Sequence, residues 1–260
     1  MPLLIKRLLF FAALFVLWES VYHLNLVYSF WSPTLFPSPS GAVSQLYIGF
    51  FETGILRVAF SESMGRIFTG FILAVLIGGA LGITLAVSRL ADETLGSLVI
   101  ALQPVPSIVW LPIALMMFQG GSSAILFVVV LGGTWAMTLN MRMGIKNVQP
   151  LLIRAARTMD YKGAELIWKV MIPASVPAAL TGARLAWAFG WRALMAAELI
   201  GRGGLGRTLM DARDFYNMDL VVAIMFIISA VGLAVEYLFF SRVERKVLRR
   251  WGLQEKGSGR

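Results

Sequence analysis

The sequence predicts an all-α, polytopic membrane protein of about six transmembrane helices, and three observations predict it. Of the 260 residues, 58% are hydrophobic and the mean hydropathy is +0.77, well above the range of an ordinary soluble domain. Several apolar runs reach the roughly 20 residues that a span requires. The basic residues collect at the ends of those runs and, threaded in order, fall mainly on one side. The formal charge of +9 and pI near 10.3 thus describe orientation in a membrane. No basic face interleaved with aromatic readers points to nucleic acid. The chain has no cysteine, which excludes disulfides, thiol catalysis and thiolate metal sites. His23, the only histidine, reads as an interfacial residue, and no metal site is expected.

The first span, Ile5 to Val27, opens with Lys6 and Arg7. No good small-residue cleavage site follows its apolar core, so it is expected to be retained. Trp31 to Gly41 contains three prolines and is expected to be a non-helical outer loop. Ala42 to Phe60 reads as an amphipathic helix at the outer interface, anchored by Tyr47, Phe50 and Phe51. In the second span, Ile67 to Val87, Gly70, Gly78, Gly79 and Gly82 allow close helix packing. A short charged loop, Arg89 to Thr94, leads to the third span, Ser97 to Phe118. There Pro104, Pro106 and Pro112 leave backbone groups that only neighbouring protein or a wet cavity can satisfy, which marks a pathway or a hinge. A tight outer turn, Gln119 to Ser123, precedes the fourth span, Ala124 to Met141.

The longest polar segment between apolar runs is Ile153 to Pro177, inside a cytoplasmic loop of about residues 142–177. It reads as helix, turn, helix. Leu152, Ala155, Ala156 and Met159 recur at helical spacing, as do Ala164, Ile167, Trp168 and Met171 after Gly163. Each half therefore has an apolar face and a charged face, with Arg154, Arg157, Lys162 and Lys169 against Asp160 and Glu165. Pro173 and Pro177 are expected to stop the second helix and start the next run. The fifth span is Ala178 to Ile200. Gly201 to Met218 is too polar to cross and connects outside as a re-entrant or surface helix. The sixth span, Leu220 to Phe240, is followed by a basic tail, Ser241 to Trp251, expected to lie against the anionic inner leaflet. Lys6, Arg7, Arg89, Arg142, Lys146, the central loop and the tail share one side, against Arg57, Arg202, Arg207 and Arg213. Both termini are thus expected in the cytoplasm, and residues 1–260 form a single transmembrane domain with a cytoplasmic tail at 241–260.

Two stretches invite a chemical reading. Gly201 to Thr208, GRGGLGRT, satisfies G-x-G-x-x-G and lies one substitution from a P-loop, with Arg207 in the lysine position. Both motifs need a preceding strand. Here a span precedes, so no catalytic or nucleotide site is expected in this chain. In the fifth span, Arg184, Trp187, Trp191, Met195 and Glu198 fall within an arc of about 80° at about 100° per residue, with Arg192 at the stripe's edge. Ionisable groups inside a span face a bundle interior or an aqueous path. Arg184 is expected to form a structural ion pair with Glu236. Trp187, Trp191, Arg192, Met195 and Glu198 are candidate pathway residues. Glu198 reads equally as a structural hydrogen-bonding residue, and Arg192 as a partner of Glu198 or Asp211.

The central loop, with Ala155-Ala156, Gly163-Ala164 and Ile172-Pro173, resembles the EAA loop of ABC importer permeases. Its leading residue is Arg154 where the family has Glu, and its turn residue is Asp160 where the family has Gly. Phe36 to Val43 (FPSPSGAV), Gln103 to Ile113 (QPVPSIVWLPI) and Gly190 to Gly206 (GWRALMAAELIGRGGLG) stand in register with it. Together they resemble the permeases of nitrate, taurine, alkanesulfonate and bicarbonate ABC importers, above all the taurine and sulfonate branch. The resemblance implies a type I importer fold in a bacterial inner membrane. It implies two permease copies, two cytoplasmic ATPase subunits that bind ATP and Mg, and an extracytoplasmic binding protein. Lipid surrounds such a protein, and no nucleic acid is involved. Arg154, Ala155, Ala156, Asp160, Tyr161, Lys162, Gly163, Ala164, Glu165, Trp168 and Pro173 would be the ATPase-coupling residues, with Asp160 to Trp168 as the coupling helix. A pyrimidine precursor, a flavin or an aromatic acid is an alternative cargo. An autonomous channel or an intramembrane enzyme is the alternative class.

Overall fold

The computed structural model describes residues 3–32, 35–119 and 121–250, and among them every regular element is helical. In chain order these are α1 (Leu3–Tyr28), α2 (Pro39–Tyr47), α3 (Ile55–Val87), α4 (Arg89–Leu102), α5 (Leu111–Met117), α6 (Ser122–Lys146), α7 (Pro150–Thr158), α8 (Gly163–Leu166), α9 (Ile172–Ala174), α10 (Val176–Ile200), α11 (Gly204–Asp214), α12 (Met218–Ala234) and α13 (Ser241–Arg250). Among the described residues four helices are long and apolar enough to cross a bilayer, and two bent pairs raise the number to six if each pair is one span. The chain divides into two compact units.

One unit comprises residues 1–64 and 198–231. The side chains of α1 tie down the segment that follows it. Trp18 Nε1 donates to the Pro37 carbonyl at 3.1 Å, and Glu19 accepts from the Ser40 amide at 3.1 Å and hydroxyl at 2.8 Å. Buried Asn25 accepts from the Trp31 amide at 2.7 Å and donates to its carbonyl at 3.1 Å. The expectation of a non-helical 31–41 fails at its end, because α2 already begins at Pro39. Proline needs no donor in a first helical turn, and Ser38 caps it by accepting from the Gly41 amide at 2.9 Å. Pro33 and Thr34 lie outside the described residues. The single amphipathic helix expected from Ala42 to Phe60 is also broken. A π turn at Ile48–Glu52 and Gly54, at φ +72°, end α2, and α3 starts at Ile55 instead of Ile67.

The other unit comprises residues 65–197 and 232–260 and is built around α6. Gly70, Gly78 and Gly82 of α3 sit on α6, whereas Gly132, Gly133 and Gly144 of α6 receive side chains of other elements. Gly79 is not a contact glycine of this kind, since a Cβ there would meet only Met137 Cε, at 3.7 Å. Met137, Met141, Ile145 and Ala186 form one buried hydrophobic cluster, flanked by Phe71, Ile83 and Met171. The expected loop at Arg89–Thr94 is helical instead. Ser88 caps α4 by accepting from the Ala91 amide at 3.3 Å, and Asp92 in its first turn takes hydrogen bonds from Arg142 and Lys146. The third span is broken between α4 and the Ser107–Trp110 turn that leads into α5, with a 95° bend. Pro173 does not end its helix: it lies in α9, and the chain bends by 63° at Ser175 into α10. The apolar helix starting at Met218 runs on through a π turn at Val235–Phe240 to Val247. The end of the expected tail, residues 251–260, lies outside the described residues.

Candidate functional site

Pro104 and Pro106 cannot donate backbone hydrogen bonds, and where α4 stops the chain opens a cavity of about 300 Å³. Gln103 and Ser107 wall it at the break, Gly132 and Trp135 from α6, and Phe189 and Arg192 from α10. Gly132 keeps it open: a Cβ there would stand 3.1 Å from Ala193 Cβ and 3.2 Å from Ser107 Oγ. Arg192 is exposed in this wall. Its guanidinium carbon lies 5.0 Å from the centre of the Phe189 ring, and Nε donates to the Ala188 carbonyl at 3.2 Å. A guanidinium stacked on an aromatic face keeps its outer donors presented for planar anions. The carboxylates expected to pair with Arg192 are engaged elsewhere. Arg207 holds Asp211 at 2.8 Å, and Glu198 is taken by the network described below.

The other expected pathway residues do not line this cavity. Trp187 and Trp191 are buried and stacked on each other, with ring centres 6.3 Å apart and planes 4° apart. Trp187 also meets Phe68 at 5.6 Å and Phe71 at 5.5 Å. Both tryptophans therefore belong to the packed interior, and Met195 is half-buried beside them in sequence. The edge position of Arg192, about 100° from Trp191, places it on a different face from the stripe. Gly132, Ser107 and Trp135 escaped the sequence reading. Only the proline-rich break carried a signal for them.

Glu198 is fully buried and acts as a cap. Its Oε2 accepts from Ser63 Oγ at 2.7 Å and from the Gly206 amide at 3.1 Å, while Ser63 Oγ accepts from the Leu205 amide at 2.8 Å. A carboxylate beside the first amides of α11 satisfies orphan donors and complements the helix dipole. Gly203 and Gly204 adopt φ +71° and +85°, and a Cβ on Gly204 would overlap the Glu198 carboxyl. The GRGGLG glycines thus bring backbone against a carboxylate of the same chain, and the amides a phosphate would need are occupied. Arg184 donates through Nε to Glu236 at 3.1 Å and pairs with Glu244 at 3.0 Å. All three are partly exposed, so this bridge contributes modestly to stability.

In the central loop, α7 ends in a Schellman turn. The Tyr161 amide donates to the Ala156 carbonyl at 3.0 Å and the Asp160 amide to that of Arg157 at 3.1 Å. Asp160 takes the left-handed position at φ +66°, which explains how Asp stands where the resembling loops have Gly: short polar side chains tolerate it. Asp160→Gly should leave the turn intact, whereas Asp160→Val should destabilise it by about 1–2 kcal/mol, read as a lower thermal midpoint of the purified protein. The expected apolar faces point mostly outward. Ala156 is buried, but Leu151, Leu152, Met159 and Trp168 are exposed, the last two by 71% and 65%. Arg154, Ala155, Gly163 and Ala164 are exposed with them, and Pro173 is half-buried. Lys162 pairs with Asp160; Lys169 pairs with Glu165 at 2.8 Å and stands 5.3 Å over the Tyr161 ring. The loop thus exposes several large apolar side chains together with charged ones.

Residues 74–249 match the family described as "Binding-protein-dependent transport system inner membrane component". The chain is 31% identical to the bicarbonate transport system permease protein CmpB of Synechococcus elongatus, over 72% of this chain and 68% of that one. It is 29% identical to the taurine transport system permease protein TauC of Escherichia coli K12, over 86% and 82%. Its identity to the nitrate import permease protein NrtB of Leptolyngbya laminosa is 32%, over 68% and 64%. In fold it is similar to a chain of the inward-facing MetNI methionine ABC transporter, with a TM-score of 0.67 at 18% identity, covering 74% of this chain and 96% of that one. The helical fold, the broken spans and these matches place the chain in the family of binding-protein-dependent transport system inner membrane components, as a permease subunit of an ABC importer.

Proposed function

We propose that this permease carries a small anion into the cytoplasm and that Arg192 is its cationic contact. The carrying observation is the guanidinium on the cavity wall, stacked on Phe189 with its outer donors directed to no carboxylate among the described residues. Nitrate, bicarbonate and the sulfonate of taurine, the cargoes named for the relatives, all present oxygens that suit bidentate pairing with arginine. The similar identities of these relatives, 29–32%, do not choose among the three. Import would follow alternating access. Two permease copies would form the pathway, an extracytoplasmic binding protein would deliver the anion, and two ATPase subunits would bind ATP and Mg. The exposed patch of Leu151, Met159 and Trp168 would receive the ATPase, with Asp160 to Trp168 as coupling helix. Both termini then lie in the cytoplasm of a bacterial cell, as the basic loop and tail require.

In proteoliposomes containing the assembled importer, Arg192→Ala should lower ATP-driven uptake of taurine, nitrate or bicarbonate at least about tenfold, and Arg192→Lys should retain part of it. Unchanged uptake by Arg192→Ala, in a complex that still assembles, would remove the anion contact.

A further inference from the structure

The end of the last long helix carries a feature that import does not explain. On α13, Arg242, Arg245, Lys246 and Arg249 are all exposed and bound an open concavity of about 500 Å³. At about 100° per residue they fall within an arc of roughly 100°, so each has like-charged neighbours three or four positions away. Such pairs destabilise a helix. Ser241–Arg250 contains one acid, Glu244, and it turns away from the stripe to pair with Arg184 at 3.0 Å. The stripe therefore has no acidic partner on its own helix, and an external anion is needed to offset its repulsion. Its position identifies the anion. The apolar helix from Met218 runs directly into α13, so the first cation, Arg242, follows the end of the uninterrupted apolar run at Phe240 by two positions. Headgroup phosphates occupy that boundary.

We propose that Arg242, Arg245, Lys246 and Arg249 form a binding site for the phosphates of anionic phospholipids. Lipid bound there offsets the repulsion along α13 and so holds Glu244 on Arg184. The site depends on the lipid leaflet and not on the cargo, so its failure would leave the anion reading untouched.

The test uses the full-length chain purified in a neutral detergent. Phosphatidylglycerol should raise the thermal midpoint, while phosphatidylcholine and inorganic phosphate at equal concentration should not. Changing all four residues to Gln should weaken phosphatidylglycerol binding at least about tenfold, as counted by native mass spectrometry. Changing the three arginines to Lys should retain it. If the fourfold variant does not purify, Arg242→Gln with Arg245→Gln, and Lys246→Gln with Arg249→Gln, carry the same comparison. Equal binding by parent and Gln variants overturns the site. So does an equal response to phosphatidylcholine, and a response to inorganic phosphate matching that to phosphatidylglycerol overturns the lipid assignment.

Discussion

Gly204→Ala should prevent the chain from accumulating as a folded, monodisperse membrane protein. At φ +85° any L-residue is disfavoured by about 1–2 kcal/mol. The larger effect is collision, because the new methyl would occupy the volume of the Glu198 carboxyl. If that carboxyl moves, the Ser63 hydroxyl and the Gly206 amide lose their partner inside a buried network. Each buried polar group left unsatisfied costs about 1–3 kcal/mol, and the total loss is then a large part of a typical stability of about 5–15 kcal/mol. Gly65→Ala is the control: it lies in α3 with nothing within 4 Å of its added Cβ. It should be neutral or slightly stabilising. Size-exclusion profiles and thermal midpoints of the two variants decide the matter, and equal behaviour would refute the capping role of Glu198.

The second large effect is expected where α3 meets α6. A Cβ on Gly78 would stand 2.6 Å from the Thr134 carbonyl oxygen and 2.8 Å from Met137 Cβ. On Gly82 it would stand 2.6 Å from both Met141 Cβ and the Thr138 oxygen. Two of these neighbours are backbone atoms and cannot turn aside. Gly78→Leu and Gly82→Leu should each destabilise by at least about 1–3 kcal/mol through overpacking. Gly79→Ala, one residue away and with only a methionine tip at 3.7 Å, should not. Thermal midpoints that fell equally for Gly79 and Gly78 would mean that the helices do not approach on this face.

Apolar length made the spans legible: the expected Ala124 to Met141 and Ala178 to Ile200 lie inside α6 and α10. Ends were less legible because caps and long-range partners set them. The interfacial helix was expected to run to Phe60 and the second span to begin only at Ile67, yet α3 takes in everything from Ile55 to Val87. Ser63 is satisfied by Glu198, and Arg66 donates to Ser122 at 2.9 Å. Neither partner is visible in a local window. The stripe on the fifth span shows a related limit. Period alone groups Trp187, Trp191 and Glu198, but which face meets open space depends on where the Gln103–Pro106 break opens. Arg192, placed at the edge, is the residue that reaches the cavity. The pairing of Arg184 with Glu236 was readable because both lie near the same ends of adjacent spans, whereas the added contact to Glu244 needed the continuous helix into α13.

The central claim is that this chain moves its cargo only when driven by a separate ATPase acting through the loop at residues 150–174. It is tested most directly by uptake of labelled taurine, nitrate and bicarbonate into proteoliposomes holding the chain alone or with its ATPase and binding protein. The account predicts accumulation against a gradient only with the whole assembly and ATP, and its loss when Trp168→Asp places a charge in the exposed patch. Uptake by the chain alone, or ATP-driven uptake indifferent to Trp168→Asp, would contradict it.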